Sequence, residues 1–340
     1  MKKNIRDLDQ AELGELVSFS GEPTYRAIQI FNWLYARGVE EFSKMSDVPE
    51  KLREVLASEY TAEFPEVFDV KISRDGTKKY VFRLFDNRFI ETVVIPENQR
   101  TTICISTQVG CKFGCLFCAS GKMGFIRNLK VSEILGQVLY IMFREQIKIT
   151  NIVFMGMGEP FDNYDSVIKA VRIITDKNGI AIGSRKIIVS TSGVVPRIID
   201  FAKIGWQVRL SISLHSAINE TRSMLMPINR KFPLPRLFDA CRFYRNETKR
   251  RITFEYILLN GINDDGKHAL SLAEVANSLS ADVNIIPFSS IKKCSFNPPS
   301  SKKIKWFLDN LIRKGVRVTI RRSRGADIEA ACGQLAGLVR

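Results

Sequence analysis

The hydrophobic positions of the chain change period twice. Over residues 1–60 they recur at helical spacing. In TYRAIQIFNWLYARG, Ile28, Phe31, Leu34 and Tyr35 make a stripe that Gly38 ends. In SDVPEKLREVLASEY, Leu52, Val55 and Leu56 face inward behind Pro49, and Ser46 or Asp47 is available as the cap. These residues predict a small helical module. Between 61 and 100 the runs VFDVKIS, KKYVFRLF and FIETVVIP are strand-like and are separated by DGT and DNR, which predicts a three-stranded meander linking the module to the larger C-terminal part of the chain.

From residue 101 onward, apolar runs alternate with amphipathic stretches. TTICIST, NIVFMG, KIIVST, VRLSISL, ITFEYILL and VNIIPF carry enough apolar residues to be buried on both faces. Helical patterns lie between them near 131–148, 164–176, 196–204, 235–248 and 267–279, and a last helix near 300–314 leads into VRVTIRR. Six β-α units predict an α/β fold over 101–340: a parallel sheet, open or curled into a partial barrel, with ligands at the carboxyl ends of its strands.

Composition narrows the class. At 340 residues and 45% hydrophobic, the chain can bury a substantial core. MKKNIRDLDQAEL lacks the apolar segment of a signal peptide and no run approaches a membrane span, so a cytoplasmic protein without a membrane partner is expected. Seven Cys suit a reducing compartment better than a disulfide framework. The formal net charge is +15, unevenly spread: residues 1–100 hold 15 Lys and Arg against 18 Asp and Glu, whereas 101–340 hold 36 against 18. Such a field favours a polyanion, nucleic acid first.

Candidate chemistry centres on TTICISTQVGCKFGCLFCASG. Cys111, Cys115 and Cys118 follow a strand at spacings of four and three, with Gly110 and Gly114 allowing the loop to fold the sulfurs inward. Thiolates at this spacing suit an iron-sulfur cluster or zinc. A closed site needs a fourth ligand, and none lies nearby in the sequence, which leaves one metal corner open. The spacing resembles the radical S-adenosylmethionine enzymes, in which a bound amino acid chelates that corner.

At the end of the next strand, MGEP brings Gly156, Gly158 and Glu159, a backbone approach and an acceptor for an ammonium group. Ser190, Ser213 and His215 end the following strands and suit ribose and adenine. Near the C-terminus Cys332 stands between Ala331 and Gly333, a thiol sterically free to react, with Arg321, Arg322 and Arg324 upstream to favour a thiolate or a phosphate.

VGCKFGCLFCASG, MGMGEP, STSGVVP, SLHS, MPIN and RGADIEAACGQL stand in the order and spacing of the RlmN-type dual-specificity RNA methyltransferases, which the chain resembles from about residue 20 to 338. Cfr is the sister family. The resemblance implies an N-terminal helical accessory module that engages RNA, and a six-unit partial β/α barrel of the radical S-adenosylmethionine type. It implies one [4Fe-4S] cluster on Cys111, Cys115 and Cys118, and S-adenosylmethionine held by Gly158, Glu159, Ser190, Ser213, Leu214 and His215. Cys332 matches the cysteine that is methylated, Cys104 its resolving partner and Glu91 the proton acceptor. One position departs: IPFSS puts Ser289 where the family has a cofactor-contacting Asn, and a hydroxyl has a shorter reach than an amide.

The implied reaction methylates carbon 2 of adenine in 23S ribosomal RNA, at the peptidyl-transferase centre, and in transfer RNA next to the anticodon. Two S-adenosylmethionine molecules are consumed. The first methylates Cys332; the second yields a radical that activates the S-methyl group, and the adduct is resolved through a Cys104–Cys332 disulfide. A reductase or flavodoxin-type electron donor and a monomeric enzyme are expected. Two alternatives are a Cfr-like enzyme acting at carbon 8 and a non-enzymatic, metal-containing RNA-binding protein.

Overall fold

Each strand of the main sheet pairs with the strand that precedes it in the chain. A computed structural model describes residues 2–291, 294–321 and 323–336. Among them ten strands form one sheet: β1 (Glu66–Ile72), β2 (Lys78–Arg83), β3 (Phe89–Glu97), β4 (Arg100–Cys104), β5 (Asn151–Phe154), β6 (Ile187–Thr191), β7 (Arg209–Ser213), β8 (Thr253–Leu258), β9 (Asp282–Pro287) and β10 (Val318–Ile320). Strands β1 to β4 are antiparallel, and β4 to β10 are parallel. Because the order never reverses there is no switch point, and right-handed crossovers carry successive helices onto one face. The other face curls into the interior of a partial barrel, settling the choice that hydrophobic pattern alone leaves open.

The crossover helices are close to those expected: α4 (Val131–Phe143), α5 (Tyr164–Thr175), α6 (Val195–Lys203), α7 (Leu234–Thr248) and α8 (Gly266–Ser278), followed by α9 (Ser301–Arg313). Before the sheet come α1 (Gln10–Phe19), α2 (Tyr25–Tyr35) and α3 (Glu50–Glu59). Asp9 and Glu12 form a capping box at the start of α1. Neither Ser46 nor Asp47 caps α3, whose N-cap is Pro49 without a side-chain bond; the Asp47 carboxylate takes the Trp33 indole N–H instead. The helical module shares a continuous core with the barrel. Its Asp7 carboxylate accepts from the Ser132 N–H at 2.8 Å, satisfying a free donor in the first turn of α4.

The meander does more than connect. Strand β3 pairs with β4 in a register that sets Val93 opposite Cys104, so the meander extends the barrel sheet beyond its first parallel strand. It also receives the C-terminal segment. Asp327 accepts from the Ser73 hydroxyl at 2.6 Å and the Arg74 N–H at 3.2 Å, Asp75 accepts from the Gly325 N–H at 3.1 Å, and Lys79 donates to the Glu329 carbonyl at 3.1 Å. Among the described residues no helix is long and apolar enough to cross a membrane.

Gly136 lies in the middle of α4 with Pro65 packed directly over its Cα, within the space a Cβ would take. Helix propensity alone favours Gly136→Ala by about 1 kcal/mol. Overpacking costs about 1–3 kcal/mol and wins. The variant is therefore expected to be less stable by about 1 kcal/mol or more, measured by urea denaturation, and a stabilised variant would show that α4 and the Pro65 turn move apart freely.

Candidate active site

Side chains alternate across each strand, and the inward set defines the site. Cross-strand register places Cys104 beside Val153 and Ile188, and Ser213 beside Glu255, Asn284 and Thr319. Two chambers result. An upper one, about 150 Å³, is lined by Cys111, Cys115, Cys118 and the strand-end groups Gly158, Glu159, Ser190, Ser213 and His215. A lower one, about 610 Å³, reaches toward the amino ends of the strands and carries Arg100, Lys186, Arg209, Arg321 and Arg324 against Glu97 and Glu255. Met155, Glu255, Ile286, Arg321 and Cys332 line both.

The thiol loop is held at its two ends. Gln137 on α4 accepts from the Ser106 N–H at 2.8 Å and donates to the Ser106 carbonyl at 3.0 Å; the Thr107 N–H donates to the Met157 carbonyl at 2.9 Å. The Cys111 N–H bonds the Gly124 carbonyl at 2.9 Å, and the Cys118 N–H bonds that of Cys115 at 3.1 Å. Burial pushes the Cys111 thiol up to about 12. Cys115 and Cys118 are also raised, by burial first and, for Cys115, by the neighbouring sulfurs next. Three buried thiols that face one cavity and one another resist ionisation, a cost that a thiolate-bound metal group would offset. Three sulfur donors on one wall are the ligand chemistry of an iron-sulfur cluster. The fold also brings in a thiol that the sequence separates: Cys294 Sγ lies 3.6 Å from the Leu116 carbonyl, packed near Cys115 and Cys118 but outside the cavity lining.

Opposite the thiols, Gly158 has φ of +95°, and a Cβ there would stand 2.5 Å from that of Gln108, so only glycine fits. Glu159 is buried. Its Oε1 accepts from the Phe161 N–H at 3.0 Å, and its Oε2 accepts from the Ser192 N–H at 2.8 Å and hydroxyl at 2.7 Å, linking the ends of β5 and β6. Burial raises its carboxyl. The Ser190 and Ser213 hydroxyls are 3.4 Å apart. His215 takes φ of +56°, and its Nδ1 accepts from the Ile257 N–H at 2.9 Å, which leaves Nε2 with the proton. Burial lowers this imidazole to about 3, keeping it neutral, and its ring stands edge-on to Phe117 at 4.7 Å. Leu214 is buried and does not line the cavity; its carbonyl accepts from Arg222 at 3.1 Å.

Arg222 is the residue that motif reading passed over. Fully buried, it also donates to the Ser192 carbonyl at 2.6 Å, the Ser213 carbonyl at 3.2 Å and Asn229 Oδ1 at 2.7 Å, tying together the loops after β6 and β7. Asn229 belongs to MPIN, so the signal was a polar residue inside an apolar motif seven positions after an arginine.

The C-terminal segment closes the site from the side. The Ala119 N–H donates to the Gly333 carbonyl at 2.7 Å, and the Ser120 hydroxyl donates to that of Leu335. Gly333, with φ of +83°, brings its backbone against the Phe117 carbonyl. Cys332 is half-buried and faces both chambers. Cys104, buried on β4, is pushed up to about 12 by burial and then by the charge of Cys332; the charge of Cys332 also raises Arg321, the largest influence on that guanidinium. Arg322 lies outside the described residues. Glu91 lines neither chamber: it pairs with Lys79 at 3.0 Å and accepts from the Ala336 N–H at 2.9 Å. Ser289 also stands apart, its hydroxyl bonded to that of Ser323 at 3.0 Å.

Residues 105–273 match the Radical SAM superfamily, and residues 3–61 match the ribosomal RNA large subunit methyltransferase N-terminal domain. The dual-specificity RNA methyltransferase RlmN of Syntrophus aciditrophicus is 44% identical over 98% of this chain and 96% of its own length. A probable RlmN of Geobacillus thermodenitrificans is 43% identical over 98% and 92%. The crystal structure of a radical SAM methyltransferase from Sphaerobacter thermophilus superposes with a TM-score of 0.93 at 43% identity, covering 98% of this chain and 99% of that one. Radical SAM membership implies a [4Fe-4S] cluster and S-adenosylmethionine as cofactors. With a barrel, a thiol loop and an N-terminal module that all match, the chain belongs to the RlmN family of radical SAM RNA methyltransferases.

Proposed function

We propose that this enzyme methylates carbon 2 of adenine in 23S ribosomal RNA and in transfer RNA beside the anticodon, carrying the methyl group on Cys332. The observation that supports this most is the position of Cys332 at the junction of the thiol-lined chamber and the cationic one, close enough to Cys104 for its charge to raise that thiol. When bound, the cluster and S-adenosylmethionine supply the radical that activates an S-methyl group. Cys111, Cys115 and Cys118 would hold the cluster. Gly158, Glu159, Ser190, Ser213 and His215 would hold the cofactor, with Leu214 acting through its backbone. Ser289 is a weaker candidate, being bonded to Ser323.

Carbon 2 of adenine lies between two ring nitrogens and is electron-poor, so it does not displace a methyl group from a sulfonium. Cys332 solves this by presenting its methyl carbon as the attacking centre. Glu91 is the acceptor proposed for the ring proton; paired with Lys79 at 3.0 Å and bonded to the Ala336 N–H at 2.9 Å outside both chambers, it would exchange those partners to take it. Once the adduct radical has given up one electron, for which the cluster would be the acceptor, the Cys104 thiolate attacks the Cys332 sulfur; a disulfide forms as the sulfur–carbon bond breaks, and its electron pair stays on the methylene carbon, which takes a proton to become the methyl group on the ring. Arg321, which lines both chambers and feels the charge of both thiols, stabilises the negative charge this exchange requires. The basic lower chamber suits a nucleotide extruded from RNA, and the RlmN names of the relatives favour carbon 2 over carbon 8. The N-terminal module contributes to RNA engagement.

Anaerobically purified protein is expected to be brown, with absorbance and Mössbauer signals of a four-iron cluster that Cys115→Ala abolishes; stoichiometric zinc in colourless protein would favour the non-enzymatic reading. The two remaining thiols are expected to fail at different stages. Cys332→Ala should form neither methylated enzyme nor RNA adduct, whereas Cys104→Ala should accumulate a covalent protein-RNA complex on denaturing gels. Full RNA methylation by Cys104→Ala without a crosslink would remove that thiol from the mechanism. Ultraviolet crosslinking of bound RNA should reach residues 1–60, and crosslinks confined to the barrel would exclude the helical module from RNA contact.

A further inference from the structure

One buried side-chain oxygen inside the barrel, on a residue that lines both chambers, has no hydrogen-bond partner among the described residues. Glu255, in the centre of β8, is 4% exposed. Its Oε1 accepts from the Ser211 hydroxyl at 3.2 Å and from the Asn284 amide at 3.1 Å, and the Asn284 oxygen in turn accepts from the Thr319 hydroxyl. These side chains come from β7, β9 and β10, so the carboxyl group is fixed from both flanks. Its Oε2 makes no hydrogen bond among the described residues. Leaving a buried oxygen unsatisfied costs about 1–3 kcal/mol, and such a cost inside a cavity points to a ligand that supplies the missing donor.

The groups around the atom define the ligand's chemistry. Glu255 and Cys332 line both chambers, and Arg321 stands between them electrostatically, coupled to each. Resting on the reading that adenine is the substrate, a base whose carbon 2 meets the Cys332 sulfur turns its Watson–Crick edge toward that junction. On this edge carbon 2 and the exocyclic amine flank N1, so a donor N–H arrives beside the attacked carbon. The imidazole edge, with carbon 8, offers no such donor in that position.

We propose that Glu255 is the base-reading residue of this enzyme, its free Oε2 accepting a hydrogen bond from the exocyclic amine of the target adenine and so setting carbon 2 against Cys332. The discrimination is against bases rather than for RNA as such. Guanine and hypoxanthine place an oxygen at the same position, and acceptor would meet acceptor at a buried atom. Burial raises the carboxyl of Glu255, with Arg321 opposing. In either protonation state Oε2 keeps an acceptor lone pair, because a proton on Oε1 can be donated in a hydrogen bond to the Ser211 hydroxyl.

The test uses the anaerobic, cluster-loaded full-length enzyme and one anticodon stem-loop RNA made with adenosine, purine riboside or inosine at the target position. Purine riboside lacks the amine, and inosine replaces it with oxygen while keeping a hydrogen on carbon 2. Binding is read by fluorescence anisotropy, and methyl transfer in a single turnover by mass spectrometry. Wild type should favour adenosine over purine riboside by about 10- to 100-fold, the worth of one hydrogen bond to a buried carboxyl. Glu255→Gln keeps an oxygen for Ser211 and Asn284 but turns an amide N–H toward the base. Its adenosine-to-purine-riboside preference should vanish, and its adenosine-to-inosine ratio should fall by about tenfold or more.

A residue that only supports the barrel would lower all three RNAs alike. Unchanged ratios in Glu255→Gln, or equal binding of the three RNAs by wild type, therefore overturn the proposal. If wild type discriminates in binding but no methyl arrives at carbon 2, base reading stands and the assigned reaction falls.

Discussion

The bond from the Ala119 N–H to the Gly333 carbonyl joins the two parts of the chain on which the chemistry depends. One partner opens the short helix after Cys118; the other follows Cys332 directly. With the bond from the Ser120 hydroxyl to the Leu335 carbonyl, it holds Cys332 against the loop of Cys111, Cys115 and Cys118. The bond is short of support on its own, and the meander supplies the rest. Ser73, Asp75, Lys79 and Glu91 all reach the segment between Gly325 and Ala336 through their side chains. Strands that look like a connector are thus the bench on which the segment carrying Cys332 is mounted.

The same interior concentrates buried charge. Arg222 fastens two strand-end loops by their carbonyls, its guanidinium lowered by burial to about 10. Arg321 answers the thiols, and Lys79 answers Glu91 at 3.0 Å. Buried charges add little stability on balance, because desolvation offsets attraction. Their value here is positional. Each fixes a loop or a thiol that a purely apolar core would leave free to repack, and positioning is what a site built at the ends of six separate strands requires.

How much of this was legible in the sequence differs by element. The helices of the barrel came through because amphipathic stripes of twelve or so residues are unambiguous, and α5, α7 and α9 differ from expectation by a residue or so. The strands came through as apolar runs, but their curvature did not, since pairing order is a long-range property. The thiol loop, Gly158, Glu159, Ser190, Ser213 and His215 were found because each sits in a motif at a strand end. Arg222 and Glu255 were hidden because a charged residue in an apolar run has no local signature; only three-dimensional neighbours reveal whether it is solvated or enclosed. Glu91 was named from resemblance, and its ion pair with Lys79 could not have been read from spacing. Ser289 departs from its family, and its bond to Ser323 shows that the hydroxyl is engaged in holding the barrel's last loops together.

The sequential order of the sheet has a consequence for how the protein comes into being. Every strand meets a partner already synthesised, so the barrel can close progressively as the chain emerges, with the helices laid on one after another. The tail breaks that pattern. Its anchors join residues about 250 positions apart, Ser73 with Asp327 and Asp75 with Gly325. Cys332, the proposed methyl carrier, is therefore docked by contacts that can form only after the meander, the sheet strands and the thiol loop have been made. Those non-local contacts, rather than the closing of the sheet, complete the chamber wall on which the proposed chemistry relies.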